Sequence, residues 1–192
     1  YTYIYSRSTI SAEVRYIPSD TPAANPMLFL PRRDNHEYYV TDGVDRFYVL
    51  SNDGAENFEV LEAPLDDTSQ DAWKPVVPHR DDVLVEGVSV FENFVVIDGT
   101  RQGLNQIEVL DRESGEMHAI EFDEEAYRAS TGENHNFDST VFRYSYESMT
   151  TPDSDYDYNV VEQTSKLVKE QVVVGDFDRN DYQTERRFAT VR

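Results

Sequence analysis

Four aromatic and β-branched runs recur along this chain, each opening about 44 to 49 residues after the one before. They are Tyr1–Ser8 (YTYIYSRS), Arg46–Asp53 (RFYVLSND), Asn93–Thr100 (NFVVIDGT) and Val141–Ser148 (VFRYSYES). A second run follows each within about ten residues: Glu13–Ile17, Asn57–Leu61, Gln106–Leu110 and Tyr156–Val160. A third run comes next, at Met27–Leu30, Trp73–Val77, His118–Phe122 and Lys166–Val168. The first two copies share a tail, Pro31-Arg32-Arg33 against Pro78-His79-Arg80. Short strands separated by turns, repeated at this period, predict stacked sheet units, most often propeller blades.

The residues between the runs agree. Asn52–Gly54, Asp98–Gly99 and Asp111–Gly115 read as turns, with glycine supplying a positive φ. Pro18–Pro26 and Pro64–Ala72 are loops at equivalent places in the first two units, and Glu133–Thr140 is a polar loop in the fourth. One helix is expected, at Asp123–Arg128, with Asp123 as its cap. The 13 tyrosines and 10 phenylalanines suit half-buried strands. No apolar run approaches the roughly 20 residues of a membrane helix, and no membrane partner is expected.

Acidic residues number 38 against 17 basic, for a formal charge of −21. Phosphate recognition needs clustered Lys or Arg, so nucleic acid is disfavoured as a partner, whereas an acidic field draws in cationic ones. Cysteine is absent, which removes disulfide and thiolate chemistry. Tyr1–Ser11 lacks the basic start and apolar stretch of a signal peptide. There is no initiator Met, and the chain stops in a strand-like run, Arg187–Arg192, so a piece of a longer protein is expected.

Motifs for chemistry are sparse. Ser89 in Gly87–Phe91 lacks the second glycine of a nucleophile elbow and alternates like a strand. His36, His79, His118 and His135 have no metal-ligand spacing, and structural or surface roles are expected for them. Asp153/Asp155/Asp157 and Asp176/Asp178/Asn180 open like calcium loops. They carry Tyr158 and Asp181 where glycine is needed, and Thr164 and Arg187 where the closing acid is needed. Neither a metal nor another cofactor is expected.

Several segments, in order and from end to end, resemble one known family. Arg143–Tyr158 (RYSYESMTTPDSDYDY), Ser11–Tyr16 (SAEVRY), Phe29–Tyr38 (FLPRRDNHEY), Pro78–Gly87 (PHRDDVLVEG), Arg101–Leu104 (RQGL) and Tyr182–Thr190 (YQTERRFAT) carry the likeness. They are similar to the oligopeptidase B branch of the prolyl oligopeptidase family of serine peptidases. That family joins an α/β-hydrolase domain to a seven-bladed β-propeller.

The resemblance implies an all-β chain of about four blades from the second half of the propeller. Residues 1–181 would be the blades, and 182–192 the hinge and first strand leading into a hydrolase domain that lies further on. It implies a parent that cuts short peptides after Arg or Lys, with a Ser-His-Asp triad beyond this chain. The propeller would filter substrates by size, and the hinge would lie near Tyr182–Arg187. No catalytic residue is carried over, because no position here matches one.

Asp81, Asp82, Glu86, Asp153 and Asp155 lie in the family-like segments and are the candidates for a domain interface or for steering basic peptides. Arg101 and Arg143 would pair with acids between strands. The implied partners are the hydrolase domain of the same parent and, through it, short basic peptides. The implied compartment is the cytoplasm, with the periplasm as the other. The rival reading is a free-standing acidic propeller used as a protein-binding module. Uncovered end blades are expected to expose Tyr3, Tyr5 and Val14 at one end and Tyr144, Tyr146 and Tyr158 at the other, and to drive a homodimer.

Overall fold

A computed structural model describes residues 1–190. Among these residues fifteen strands form four antiparallel meanders in chain order. The first is β1 (Thr2–Arg7), β2 (Ala12–Ile17) and β3 (Met27–Leu30). The second is β4 (Tyr38–Asp42), β5 (Arg46–Ser51), β6 (Glu59–Pro64) and β7 (Lys74–Val77). The third is β8 (Val83–Val90), β9 (Phe94–Arg101), β10 (Leu104–Asp111) and β11 (Met117–Ala119). The fourth is β12 (Tyr127–Thr131), β13 (Val141–Ser148), β14 (Ser154–Asn159) and β15 (Thr164–Glu170). Among the described residues, strands from distant repeats do not pair, as a sandwich would require; each hairpin pairs neighbours, such as Tyr3 opposite Tyr16 and Tyr144 opposite Tyr156.

The repeated aromatic runs are β1, β5, β9 and β13. The chain divides into two compact units, Tyr1–Val90 and one beginning at Phe91. In the first, Val14, Tyr16 and Phe29 pack on Tyr38, Phe47 and Val49 of the following sheet. In the second, Phe94, Ile107 and Val109 pack on Phe142, Tyr144 and Tyr158. Alternation delivers one apolar face per strand, and two consecutive sheets close over it face to face.

The strand that opens a sheet is an edge, with backbone groups that need partners. Side chains from the preceding sheet supply them. The Tyr5 hydroxyl donates to the Val40 carbonyl at 2.9 Å and accepts from the Val40 N–H at 3.1 Å. In the opposite direction, the Tyr38 hydroxyl on β4 accepts from the Val14 N–H at 2.9 Å and donates to the Leu30 carbonyl at 2.6 Å in the preceding sheet. In the second unit one Asp98 carboxylate oxygen accepts from both the N–H and the hydroxyl of Thr131, each at 2.9 Å.

Three expectations are corrected. Asp123–Arg128 is not a helix: Tyr127 and Arg128 belong to β12, opposite Ser148 and Glu147, and the acids before them form a loop. Tertiary pairing overrides a short run of helix formers, which is marginal by itself. Asp98–Gly99 is not a turn but the middle of β9, with Gly99 opposite Gln106. The reversal lies at Gln102 and Gly103, with φ of 51° and 78°, as a two-residue hairpin loop prefers.

The end-face residues are misassigned as well. Val14, Tyr144, Tyr146 and Tyr158 are buried inside their own units, and Tyr3 and Tyr5 are half-buried there. The other face of the fourth sheet carries Arg143, Ser145, Asp155 and Asp157 instead, so those tyrosines cannot drive a dimer. The other two turns behave as expected, with Gly54 and Gly115 at φ of 71° and 73°. The strand-like run at 187–192 forms no strand through residue 190, and its last two residues lie outside those described. Among the described residues no helix is long and apolar enough to cross a membrane.

Candidate functional site

In the second unit, the loop between β11 and β12 meets the β13–β14 turn and the segment after β15. Together with β13–β15 they line an open pocket of about 590 Å³. One wall is aromatic. Tyr144 and Tyr156 lie opposite each other in the β13–β14 ladder and stack at 5.4 Å and 10°. Phe122 stacks on Tyr146 at 5.2 Å and 21°. The rest is polar, from Glu124, Thr150, Thr151, Ser165, Arg179 and Gln183.

Glu124 is the hub. Its carboxylate accepts from the hydroxyls of Tyr146 (2.7 Å), Ser148 (2.7 Å), Thr151 (2.9 Å) and Thr184 (3.4 Å), and from that of Thr150. Burial pushes this carboxyl up, but the hydroxyls outweigh burial and bring it down to about 2. Tyr146 moves the other way: burial, then its bond to the Glu124 carboxylate, raises it and keeps it protonated. The same serine shapes the turn, since Ser148 Oγ accepts from the N–H groups of Thr150 (3.0 Å) and Thr151 (2.8 Å).

The chemistry available here is binding and positioning. A nucleophile needs a base to take its proton, and every hydroxyl bonded to Glu124 donates to a carboxylate that stays ionised. A serine–histidine contact lies elsewhere: His36 Nε2 is 2.9 Å from Ser51 Oγ. Both are buried, at 1% exposure each, so no substrate reaches them. Burial, and then Arg33, hold the His36 imidazole below its usual value. His118 is also structural, with Nε2 2.9 Å from the Tyr158 hydroxyl. Among the described residues no group of three or more His, Asp or Glu is placed to hold a metal.

Three of the five acidic candidates lie in the first unit and two in the second. Asp81 and Asp82 sit in the exposed turn before β8, whose Arg80 and Asp81 carbonyls accept from Asn57 Nδ2 at 3.1 and 2.9 Å. Glu86 is exposed on β8. Asp153 lies in the turn before β14 and is exposed, while Asp155 is half-buried on β14, opposite Ser145 and Lys169. Arg143 pairs with Asp157 across the strands, Nε to Oδ1 at 2.8 Å and a second nitrogen to Oδ2 at 3.1 Å. Sequence reasoning missed Glu124. The cluster Ser148, Thr150 and Thr151 was visible in the sequence, but its acceptor lies 24 to 27 residues away.

Consecutive antiparallel meanders of three or four strands, in chain order, define part of a β-propeller. The chain matches the model for the N-terminal β-propeller domain of prolyl oligopeptidase over residues 1–171, and it belongs to that family. It is 38% identical over 189 residues to dipeptidyl aminopeptidase BI of Pseudoxanthomonas mexicana, covering 96% of this chain and 25% of that protein. It is 29% identical to Protease 2 of Moraxella lacunata, covering 100% of this chain and 27% of that protein. Oligopeptidase B from Leishmania major superposes with a TM-score of 0.89 at 28% identity, over 98% of this chain and 28% of that one. The chain thus spans about a quarter of the length of the curated relatives it matches.

Proposed function

We propose that this chain is the non-catalytic propeller part of an oligopeptidase B-like serine endopeptidase. The parent cleaves short peptides after Arg or Lys, and the propeller controls which substrates reach its active site. The carrying observation is the superposition on oligopeptidase B across 98% of the chain. The charge of −21 supports the substrate class, because an acidic wall raises the local concentration of basic peptides. In this reading Asp81, Asp82, Glu86, Asp153 and Asp155 contribute to that field or to the domain interface, and no residue of this chain takes part in bond cleavage.

The identity of 38% to a protein named as a dipeptidyl aminopeptidase favours a second reading, removal of dipeptides from free N-termini. One experiment separates the two. The protein encoded together with its downstream sequence is given a peptide with a blocked N-terminus and one internal Arg. Cleavage after that Arg, stopped by a serine-directed inhibitor, is the expected result. No cleavage of the blocked peptide, with stepwise loss of dipeptides from its unblocked form, would establish the second reading.

A further inference from the structure

Past β15 the chain runs across the Glu124 loop without entering a sheet, and through residue 190 little of it is buried. Tyr182 and Phe188 are 59% and 81% exposed, so apolar burial does not hold this segment. Thr184 and Arg186, two residues apart and on one side of the extended chain, are its half-buried positions. Thr184 Oγ1 lies 3.4 Å from the Glu124 carboxylate and 3.4 Å from Thr150 Oγ1. The Arg186 N–H donates to the Glu125 carboxylate at 3.0 Å. The Arg186 guanidinium donates to the carbonyl of Gln102, in the left-handed β9–β10 turn.

We propose that Glu124 and Glu125, with the Gln102 carbonyl, form a clasp that holds residues 184–186 as a releasable strap. The adjacent carboxylates act on opposite demands. Glu124 is locked by hydroxyls of its own sheet and offers the strap one weak contact. Glu125, exposed, spends its carboxylate on the strap's backbone. A docking made of a few partly exposed polar contacts is worth little net, so it opens far below the stability of the sheets. A strap secured by buried aromatic residues would instead be part of the core.

Resting on the peptidase reading, this strap is the connection to the hydrolase domain, and its release is the local event that frees that domain to swing. The strap itself is tested on this chain alone, so its failure and the failure of the peptidase reading are distinguishable. Amide hydrogen exchange is measured for residues 183–190 in the wild type, in Glu125→Ala and in Thr184→Val; neither substituted residue belongs to a core cluster. In the wild type the Arg186 amide is expected to exchange about tenfold slower than the neighbouring Arg187 amide. Glu125→Ala should abolish that difference, and Thr184→Val should reduce it, with the amides of β13 and β14 unchanged in both. An Arg186 amide as fast as Arg187 in the wild type, or unchanged protection in Glu125→Ala, would overturn the proposal.

Discussion

Tyr3 and Tyr5 stand on the same face of β1, two residues apart, and their hydroxyls should have opposite effects on stability. The Tyr5 hydroxyl satisfies both the N–H and the carbonyl of Val40, which is 4% exposed. Tyr5→Phe keeps the ring and strands both groups on the buried edge of β4. Leaving a buried backbone donor or acceptor unpaired costs about 1–3 kcal/mol, so about 2 kcal/mol is expected. The Tyr3 hydroxyl is buried with no hydrogen-bond partner. Burial, and then Asp42, raise its pKa and keep it protonated. Tyr3→Phe removes an unsatisfied group and should be neutral or stabilising by up to about 1 kcal/mol.

Trp73 is the single tryptophan, packed at 6.2 Å from Phe29 and 6.4 Å from Tyr38, so its fluorescence reports this unit in a urea titration. With a slope near ~1.5 kcal/mol/M, Tyr5→Phe should lower the midpoint by about 1.3 M. Tyr3→Phe should leave it unchanged or raise it. Equal losses for the two variants would show that ring packing, and not the sewing of β4 by a hydroxyl, holds the sheets together.

Three further outcomes follow from local geometry. Val44 is 65% exposed with φ of 69°, a left-handed position that strains a β-branched residue. Val44→Asn should therefore stabilise by about 1 kcal/mol in the same titration. A Cβ at Gly43 would lie 2.8 Å from the Tyr48 ring and 3.0 Å from the Arg46 carbonyl, so Gly43→Ala should destabilise by about 1–3 kcal/mol.

The Glu124 carboxyl sits at about 2 in the folded chain, below its ordinary 4.5. Its contribution is therefore present above about pH 4.5 and lost as pH falls towards 2. Arg179, Tyr146 and Tyr156 line the same pocket, together with the carboxylates Glu121 and Asp123. Glu124→Gln should cost about 1–3 kcal/mol at pH 7. The gap from wild type should close by pH 2, read by circular dichroism of urea unfolding.

The fold was legible where one strand carries its own signal. β5, β9 and β13 alternate or run apolar because each lies between two partners and faces a core. The opening strands β4 and β12 were not singled out. Their stability comes from hydroxyl and carboxylate groups of the preceding sheet, such as Tyr5 and Asp98, which no local pattern displays. Asp98–Gly99 looked like a turn for the same reason: the aspartate serves β12, not its own hairpin. The acidic candidates were chosen by resemblance, and no local pattern singles them out. Glu124 stood inside a run that reads as helix, and its five hydroxyl partners come from β13, the turn after it and the strap.

The central claim, that this chain is the wall that decides which substrates a peptidase admits, is tested most directly by size selection in the parent protein. One Arg-containing sequence is presented as a free peptide of about ten residues and as a loop of a stably folded host. The wall predicts rapid cleavage of the free peptide after Arg and essentially none of the host. It also predicts that unfolding the host fails to restore full cleavage while the chain remains long. Equal kcat/KM for peptide and folded host would contradict the account.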